Sequence, residues 1–352
     1  MPQDDPAMPP CPSRRGVLTL GFGAVAAMSL AACGIRLEDD APRIPLIPTR
    51  QPIPGESFLL ALWRHSDDLA DRATSVGGPA NGVPARVAAL HRRQVAVLES
   101  ELLRLGVPRK VLDTAAAAPS ASTTGTATGS ATGAATGSAT GGSATPSGGS
   151  TGSASTAPSV QGPKGLAAAE ASDLGPTAIA SLATVSPTAV PLIGSVLAQR
   201  AAAATLLGVP VTWTEPNWSA PSLAASYLDS TRAAVYAFEV VAAQSPSGAQ
   251  HTLALTTLAA LESRAHDQES LAGRSAGPPD LGYPLPFPVT TAASARTLAA
   301  QVLTELRASI ARDLGSTGGD LGPLGALVQC LGDTEVLASQ WGVKLSAFPG
   351  LT

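Results

Sequence analysis

The chain is expected to fold as an all-α protein of two tandem four-helix bundles, each with one long crossover connection. Three observations point there. Apolar residues recur at helical spacing in eight stretches, and no stretch alternates with period two for long enough to make a strand. Each half of the chain also repeats one order of parts: helix, short loop, helix, long connection, helix, short loop, helix.

At the N-terminus Arg14 and Arg15 precede a weakly apolar run, 16–30, diluted by Gly21 and Gly23 and followed by Ala31-Ala32-Cys33. Paired arginines before such a run read as a twin-arginine export signal, and the small-residue site Leu30-Ala31-Ala32-Cys33 reads as a lipobox. A retained membrane span is the competing reading of residues 16–32. At about 1.5 Å per residue that stretch is marginal for about 30 Å of hydrocarbon, and a span has no need of the cysteine. The stretch resembles bacterial lipoprotein signals. That resemblance implies that residues 1–32 are removed, that Cys33 carries a diacylglyceryl group, and that the lipid holds the protein on the extracytoplasmic face of the cell membrane. Val17 stands where twin-arginine signals often carry Phe, and Asp4 and Asp5 lie where the signal is normally positive, so the general secretory route stays open.

Residues 33–54 follow as a tether, since Pro42, Pro45, Pro48, Pro52 and Pro54 stop helix or sheet and favour an extended stalk. The first bundle is placed at 55–208. Its opening helix, 56–74, carries Phe58, Leu62 and Leu69 on one face; the second, 85–105, carries Val87, Leu90, Val97, Leu98, Leu102 and Leu105. Pro84 opens that second helix, and Gly106 with Pro108 closes it. Residues 114–162 are almost wholly Ala, Ser, Thr, Gly and Pro, with no charge between Asp113 and Lys164. Such an insert buries too little apolar area to offset its chain entropy and is expected to be disordered, either as a bare spacer or as an O-glycosylated one. Within it Gly148-Gly149-Ser150-Thr151-Gly152 matches a nucleophile elbow by chance, because that motif needs a strand before it and a helix after it. Helical spacing resumes at 165–182, with an irregularity at Gly175-Pro176, and again at 187–207, stopped by Gly208 and Pro210.

Residues 209–221 connect the halves and hold Trp213 and Trp218, which either wedge the bundles together or form a binding surface. The second bundle, 222–348, contains helices at 222–243, 248–275, 292–314 and 321–341. Its long connection, 277–290, is proline-rich; at about 3.1 Å per residue it reaches about 40 Å, enough to pass a 20-residue helix of about 30 Å. The next helix can therefore start from the opposite end, which is the one-crossover topology of ferritin-like bundles.

Charge and cysteine content narrow the function. A net charge of -4 with scattered basic residues gives no nucleic-acid footprint. Cys11 leaves with the signal and Cys33 is lipidated, so Cys330 is the remaining thiol, among Leu327, Val328 and Leu331. No disulfide within the mature chain and no cysteine-lined metal store is then possible; the thiol reads as buried and inert rather than reactive.

Residues 227–243 (YLDSTRAAVYAFEVVAA), the crossover YPLPFPV at 283–289 and the helix ending Ala338-Ser339-Gln340-Trp341 resemble the uncharacterised ferritin-like domain found in lipoproteins of high-GC Gram-positive bacteria, over 222–348. That family is a domain of unknown function, so the resemblance implies a fold and no activity.

Ferritin-like bundles with a di-metal centre use a Glu from each of two helices and a Glu-x-x-His pair from each of the others. No Glu-x-x-His occurs in the chain. The nearest metal candidates are Glu262 with His266, and Glu335. At about 100° per residue, Glu262, His266 and Glu269 fall away from the stripe Ala254, Leu258, Leu261, Ala265, Ala272, whereas Glu335 projects near the core stripe beside Val328, Leu331 and Ala338. Thr231 sits at the middle of its helix stripe where relatives tend to have an acid, and Glu239 is displaced to the flank.

The first half is more polar inside: His91 and Gln94 share the face of Val87 and Leu98, Glu170 that of Leu166 and Leu174, and Arg200 that of Val196 and Leu207. Three readings are open: a structural cluster of Glu170 with Arg200 and His91, unconnected and partly exposed residues, or a mononuclear metal site. Arg200 counts against the last, because it puts a fixed positive charge where a cation would sit. No cofactor fingerprint is present. The sequence thus predicts a lipid-anchored extracytoplasmic helical protein of the cell envelope, non-catalytic, binding or scaffolding, with the membrane and a cell-envelope protein as partners. The alternative is a metal-binding ferritin-like oxidase or store with a degenerate site. A cell-wall carbohydrate module using Trp213 and Trp218 is a third reading. Oligomeric state is not written in the pattern.

Overall fold

Helix starts and stops are set by local chemistry at most of the element boundaries. The computed structural model describes residues 50–118, 162–213 and 221–351, and among them the regular elements are all helical. Cys33, Arg14, Arg15, Trp218, the elbow-like Gly148–Gly152 match and most of the low-complexity insert lie outside the described residues.

The first half contributes α1 (Glu56–Val76), α2 (Val83–Arg104), α3 (Arg109–Ala117), α4 (Pro163–Ala171), α5 (Pro176–Leu182) and α6 (Val190–Leu206). Proline sits in the first turn of α2, α4, α5 and α6, where a missing N–H costs nothing and its fixed φ favours helix entry. Gly208, at φ 97, ends α6 in a conformation an L side chain resists. The single helix expected over 165–182 is broken into α4 and α5 at Gly175-Pro176, and the short α3 has no counterpart in the expected order. Its nine residues carry too few apolar positions to display a period.

The second half follows the sequence closely: α7 (Pro221–Ala243), α8 (Ala249–Ala272) running into a 3-10 turn at Gly273–Ser275, α9 (Ala292–Leu314) and α10 (Leu321–Gln340). Thr291 and Ser294 make a capping box at the start of α9, and Asp320 Oδ1 accepts from Gly322 N at 3.1 Å to start α10. The crossover is pinned at its start by Arg232, which donates to Gly277 O and to Glu269 Oε1, both at 2.8 Å. Further on, the Tyr236 and Tyr283 rings meet at 5.9 Å and hold the crossover on α7.

Packing departs from the tandem arrangement. Residues Gln51–Thr352 form one compact unit, and one continuous apolar cluster runs from Leu59 and Leu62 on α1 to Trp341, Ala347 and Phe348 at the C-terminus. The link is α6. It packs against α2, α4 and α5 and also against α9 and α10, and most of its residues from Val190 to Ala204 are buried. A helix apolar on all sides belongs in the middle of a protein rather than on the rim of a bundle. Small residues bring it close to α10 and α9: a Cβ at Gly332 on α10 would meet Ala198 O at 3.0 Å, and one at Gly194 would meet Leu314 Cδ1 of α9 at 3.1 Å.

A C-terminal strap completes the junction. Beyond α10 the chain turns back, and Ser195 Oγ donates to Pro349 O at 2.7 Å while Gln94 Nε2 donates to Ala347 O at 2.8 Å. At Gly350, with φ 77, a Cβ would fall inside contact distance of the Arg307 carbonyl and Ala311. No other residue lets the strap lie that close to α9.

Candidate functional site

Two places concentrate the polar side chains that face inward. The first is a layer across α1, α2, α4 and α6. His91, Gln94 and Glu170 are completely buried, and Gln199 and Arg200 nearly so. The four residues singled out in the sequence of this half, His91, Gln94, Glu170 and Arg200, are brought together, and two more join them: His65 on α1 and Gln199 on α6.

The hydrogen bonds assign the protons. Ala347 O can only accept, so the Gln94 atom 2.8 Å from it is the amide nitrogen, which also donates to Gln199 Oε1 at 2.9 Å. Gln94 Oε1 is thereby aimed at His91 Nδ1, 2.7 Å away, and Nδ1 carries a proton. On the other side His91 Nε2 meets Glu170 Oε1 at 2.7 Å. With Nδ1 protonated, one further proton is shared across that contact, and the pair is net neutral whichever atom holds it.

Arg200 does not reach the Glu170 carboxylate, contrary to the sequence expectation of a direct Glu170–Arg200 partnership. Its Nη2 donates instead to backbone carbonyls at the end of α4, Ser172 O at 2.6 Å and Glu170 O at 3.1 Å, and to His65 Nε2 at 2.9 Å. The guanidinium thus serves as a cationic cap on the orphan carbonyls of α4. His65 accepts from it and stays neutral; burial first, and the nearby Arg200 charge second, lower its pKa from 6.5 to about 4.

The layer lies between two apolar clusters. Leu69, Ala73, Val87, Ala88, Leu166 and Ala203 are on one side, and Leu62, Leu98 and Val196 of the main core are on the other. His65 falls between Leu62 and Leu69 at helical spacing, so the α1 pattern already put it on the inner face, and Gln199 is next to Arg200 on a helix buried all round.

In the second half the inward carboxylate Glu335, completely buried, pairs with Arg307 and accepts from Ser346 N at 2.6 Å. Glu262, His266 and Glu239 are exposed, and Glu269 holds Arg232. Glu262 and His266 are therefore not brought to Glu335, and among the described residues no three His, Cys, Asp or Glu side chains are placed to hold one metal ion. Thr231 is buried with its hydroxyl turned back to Tyr227 O at 3.3 Å.

The second place is a cleft of about 500 Å³ along the seam of α8 and α10. Two side-chain bonds cross that seam: Trp341 Nε1 to Thr257 Oγ1 at 3.1 Å, and Arg264 Nη1 to Thr334 Oγ1 at 2.7 Å. Arg264 lies seven residues after Thr257 and Thr334 seven before Trp341, so the helices run antiparallel in a constant register. One turn further on, Gln268 stands opposite Cys330, and there the seam opens into the cleft, which Trp213, Tyr227 and Leu271 also line.

Gln268 is 2 % exposed, yet neither Nε2 nor Oε1 has a hydrogen-bond partner. The Tyr227 hydroxyl lies beside the amide and interacts with it. Burial pushes the Tyr227 phenol and the Cys330 thiol up, so neither is poised as a nucleophile, and Cys330 is half-buried rather than sealed. Asp267 and Asp333 are at the mouth, and partial burial of the Asp333 carboxyl pushes its pKa up against the opposing pull of Arg264. Gln268 was missed in the sequence, although it stands seven residues after Leu261 on the buried stripe of α8.

Residues 224–352 match a family model described as Domain of unknown function (DUF4439). No match was found among curated proteins or among solved structures. The family match covers α7 to α10 and the strap, and so takes in most of the cleft lining and Glu335 with Arg307, but not the polar layer of the first half.

Proposed function

We propose that the chain is a lipid-anchored protein of the cell envelope, held on the extracytoplasmic face of the membrane through Cys33, whose helical part binds or scaffolds rather than catalyses. The second half is read as ferritin-like. Supporting that topology, the seam bonds make α8 and α10 antiparallel, and the short loop between the packed α9 and α10 makes those two antiparallel as well. Hence α8 and α9 run parallel, which requires a long crossover such as 277–290.

The observation that carries the non-catalytic reading is the use already made of the inward carboxylates. Glu335 is matched by Arg307 and a backbone N–H, and Glu170 by His91. A metal would have to displace a guanidinium at one and an imidazole at the other. The anchor is supported by Arg14, Arg15, the Leu-Ala-Ala-Cys site and the proline-rich stalk. No helix among the described residues is long and apolar enough to cross a membrane.

Mass spectrometry of the membrane-extracted protein tests the anchor: the expected N-terminal peptide begins at a diacylglyceryl-modified Cys33, and an unmodified peptide running through Cys33 would overturn it. Elemental analysis of the same sample tests the second part. Iron, manganese, copper and zinc are expected well below one per chain, and a stoichiometric metal lost in His91→Ala would reverse the reading.

A further inference from the structure

Two surfaces of the molecule carry charge that the fold leaves uncompensated, of opposite sign and at the same spacing. Along α2, residues 83–98 contain no acid. Arg86 and Arg93 lie seven residues apart on its exposed face, with the exposed Ala89 and Ala96 beside them and Arg92 on the flank. Arg92 donates to Thr74 Oγ1 at 2.8 Å, and among the described residues none of the three arginines has a carboxylate partner. On the adjoining α1 the Asp67 carboxyl is pushed up by burial and then by Asp71 and Asp68, so those acids feel one another rather than these arginines. The second surface is a shallow groove of about 440 Å³ between α7, α8 and the crossover. Its floor is the half-buried Val235, Tyr236 and Tyr283, and its rim is the exposed Glu239, Glu262, Glu269 and Asp280. Four carboxylates stand there against one guanidinium, that of Arg232, which Glu269 already holds at 2.8 Å. Leu281, fully exposed at the edge, extends the apolar floor outward. Glu262 and Glu269 are also seven residues apart on one helix face, so at about 1.5 Å per residue both charge pairs are spaced by about 10 Å.

We infer that copies of this chain associate head to tail, the α2 face of one copy lying along α8 in the groove of the next. Arg86 and Arg93 then meet Glu262 and Glu269, and Leu281 rests on the shallow seat left by Ala89 and Ala96. The occupant is a second copy because the surface complementary to the groove, in sign and in spacing, is on the page in the same chain. The two surfaces lie on opposite sides of the molecule: α2 packs on α6, α6 on α10, and α10 is bonded across the seam to α8. One neighbour therefore cannot occupy both, and the contact is heterologous, propagating from copy to copy instead of closing as a symmetric pair. This gives the scaffolding role proposed above a partner and rests on that reading.

The test is sedimentation velocity of the full-length detergent-extracted protein with micelles in excess. At low salt the wild type is expected to form dimers, trimers and longer species as its concentration rises. Raising salt from about 0.05 to about 0.5 M is expected to weaken that association at least about tenfold. Arg86→Gln with Arg93→Gln removes one surface, and Glu239→Gln with Glu262→Gln removes the other. Each variant alone is expected to associate at least about tenfold more weakly, with Tm unchanged because the four side chains are exposed. Mixed together, the two variants are expected to form one-to-one dimers and nothing longer, since each supplies the surface the other lacks. A wild type that stays monomeric up to about 0.1 mM, or one that stops at dimers, would overturn the inference. So would variants that associate as before, or a mixture that stays monomeric. A monomeric wild type that binds tetralysine in the groove would give the site to a foreign basic chain and overturn it too. The Cys33 modification is read by mass spectrometry on a separate sample, so a lipidated protein that does not associate sinks the head-to-tail contact alone.

Discussion

The polar layer of the first half and the cleft of the second are both built from polar side chains on inward helix faces, yet they differ in how many internal bonds those side chains make and in the charges around them. In the layer, His91, Gln94, Gln199 and the Ala347 carbonyl form a closed chain of donors and acceptors ending on Glu170, and Arg200 is spent on the end of α4. Glu170 Oε2 and Arg200 Nε are left over, sealed between two apolar clusters. In the cleft the Gln268 amide is sealed as well, beside the Tyr227 hydroxyl, while charged residues line the mouth. A buried polar group that finds its partners within the fold helps to specify the fold. Inward position alone does not separate the two.

The comparison breaks most visibly if the His91–Glu170 pair does not hold the layer together. His91→Leu leaves Glu170 buried without its partner and is expected to cost about 3–5 kcal/mol by chemical denaturation. Combined with Glu170→Leu, much of that loss should return, because two apolar groups replace a matched pair. Recovery failing in the double variant would mean that the layer does more than hold α2 to α4.

The strap connects the layer to the buried Glu335–Arg307 pair of the second half, since Ala347 accepts from Gln94 while Ser346 donates to Glu335. Gly350→Ala forces a Cβ against the Arg307 carbonyl and is expected to cost about 1–3 kcal/mol. Its effect should be non-additive with His91→Leu in a double-mutant cycle, and additivity would show that the strap and the layer are independent.

A smaller effect tests electrostatics in the layer. His65 faces Arg200, Asp68 and Asp173, and its folded pKa of about 4 lies below the ordinary 6.5. As pH falls from 6.5 toward 4 the unfolded chain takes up a proton that the folded chain refuses, so stability is lost in that window, by at most about 1.4 kcal/mol per pH unit. Above 6.5 the contribution is fully present. His65→Gln, which can still accept from Arg200, should flatten the slope in denaturation curves taken across that range. The smallest change belongs to the cleft: Gln268→Leu is expected to gain about 1 kcal/mol, the opposite sign to any loss in the layer.

Much of this organisation was legible before the structure. Periodicity placed α1, α2 and α6 to α10, and helical spacing put His91, Gln94, Glu170 and Arg200 on inner faces. What it missed has definite causes. α3 is too short to show a period, and α6 has apolar residues on every side, so no face could declare which neighbours it served. The Glu170–Arg200 contact was inferred from opposite charge, but a guanidinium has other acceptors, and the orphan carbonyls of α4 lay nearer. Gln268 was passed over because polar residues on a helix read as solvated unless the stripe is counted through them.

The sequence by itself determined the local elements, through apolar spacing, first-turn prolines, caps and glycines. Tertiary structure alone decided that the halves share α6 and one core, that the C-terminal strap binds both, and that one buried amide finds partners while another does not. Those outcomes depend on side chains 28 to 253 residues apart in the chain, such as Arg307 with Glu335 and Gln94 with Ala347. Periodicity reports which way a residue faces, and only packing reports what it meets there.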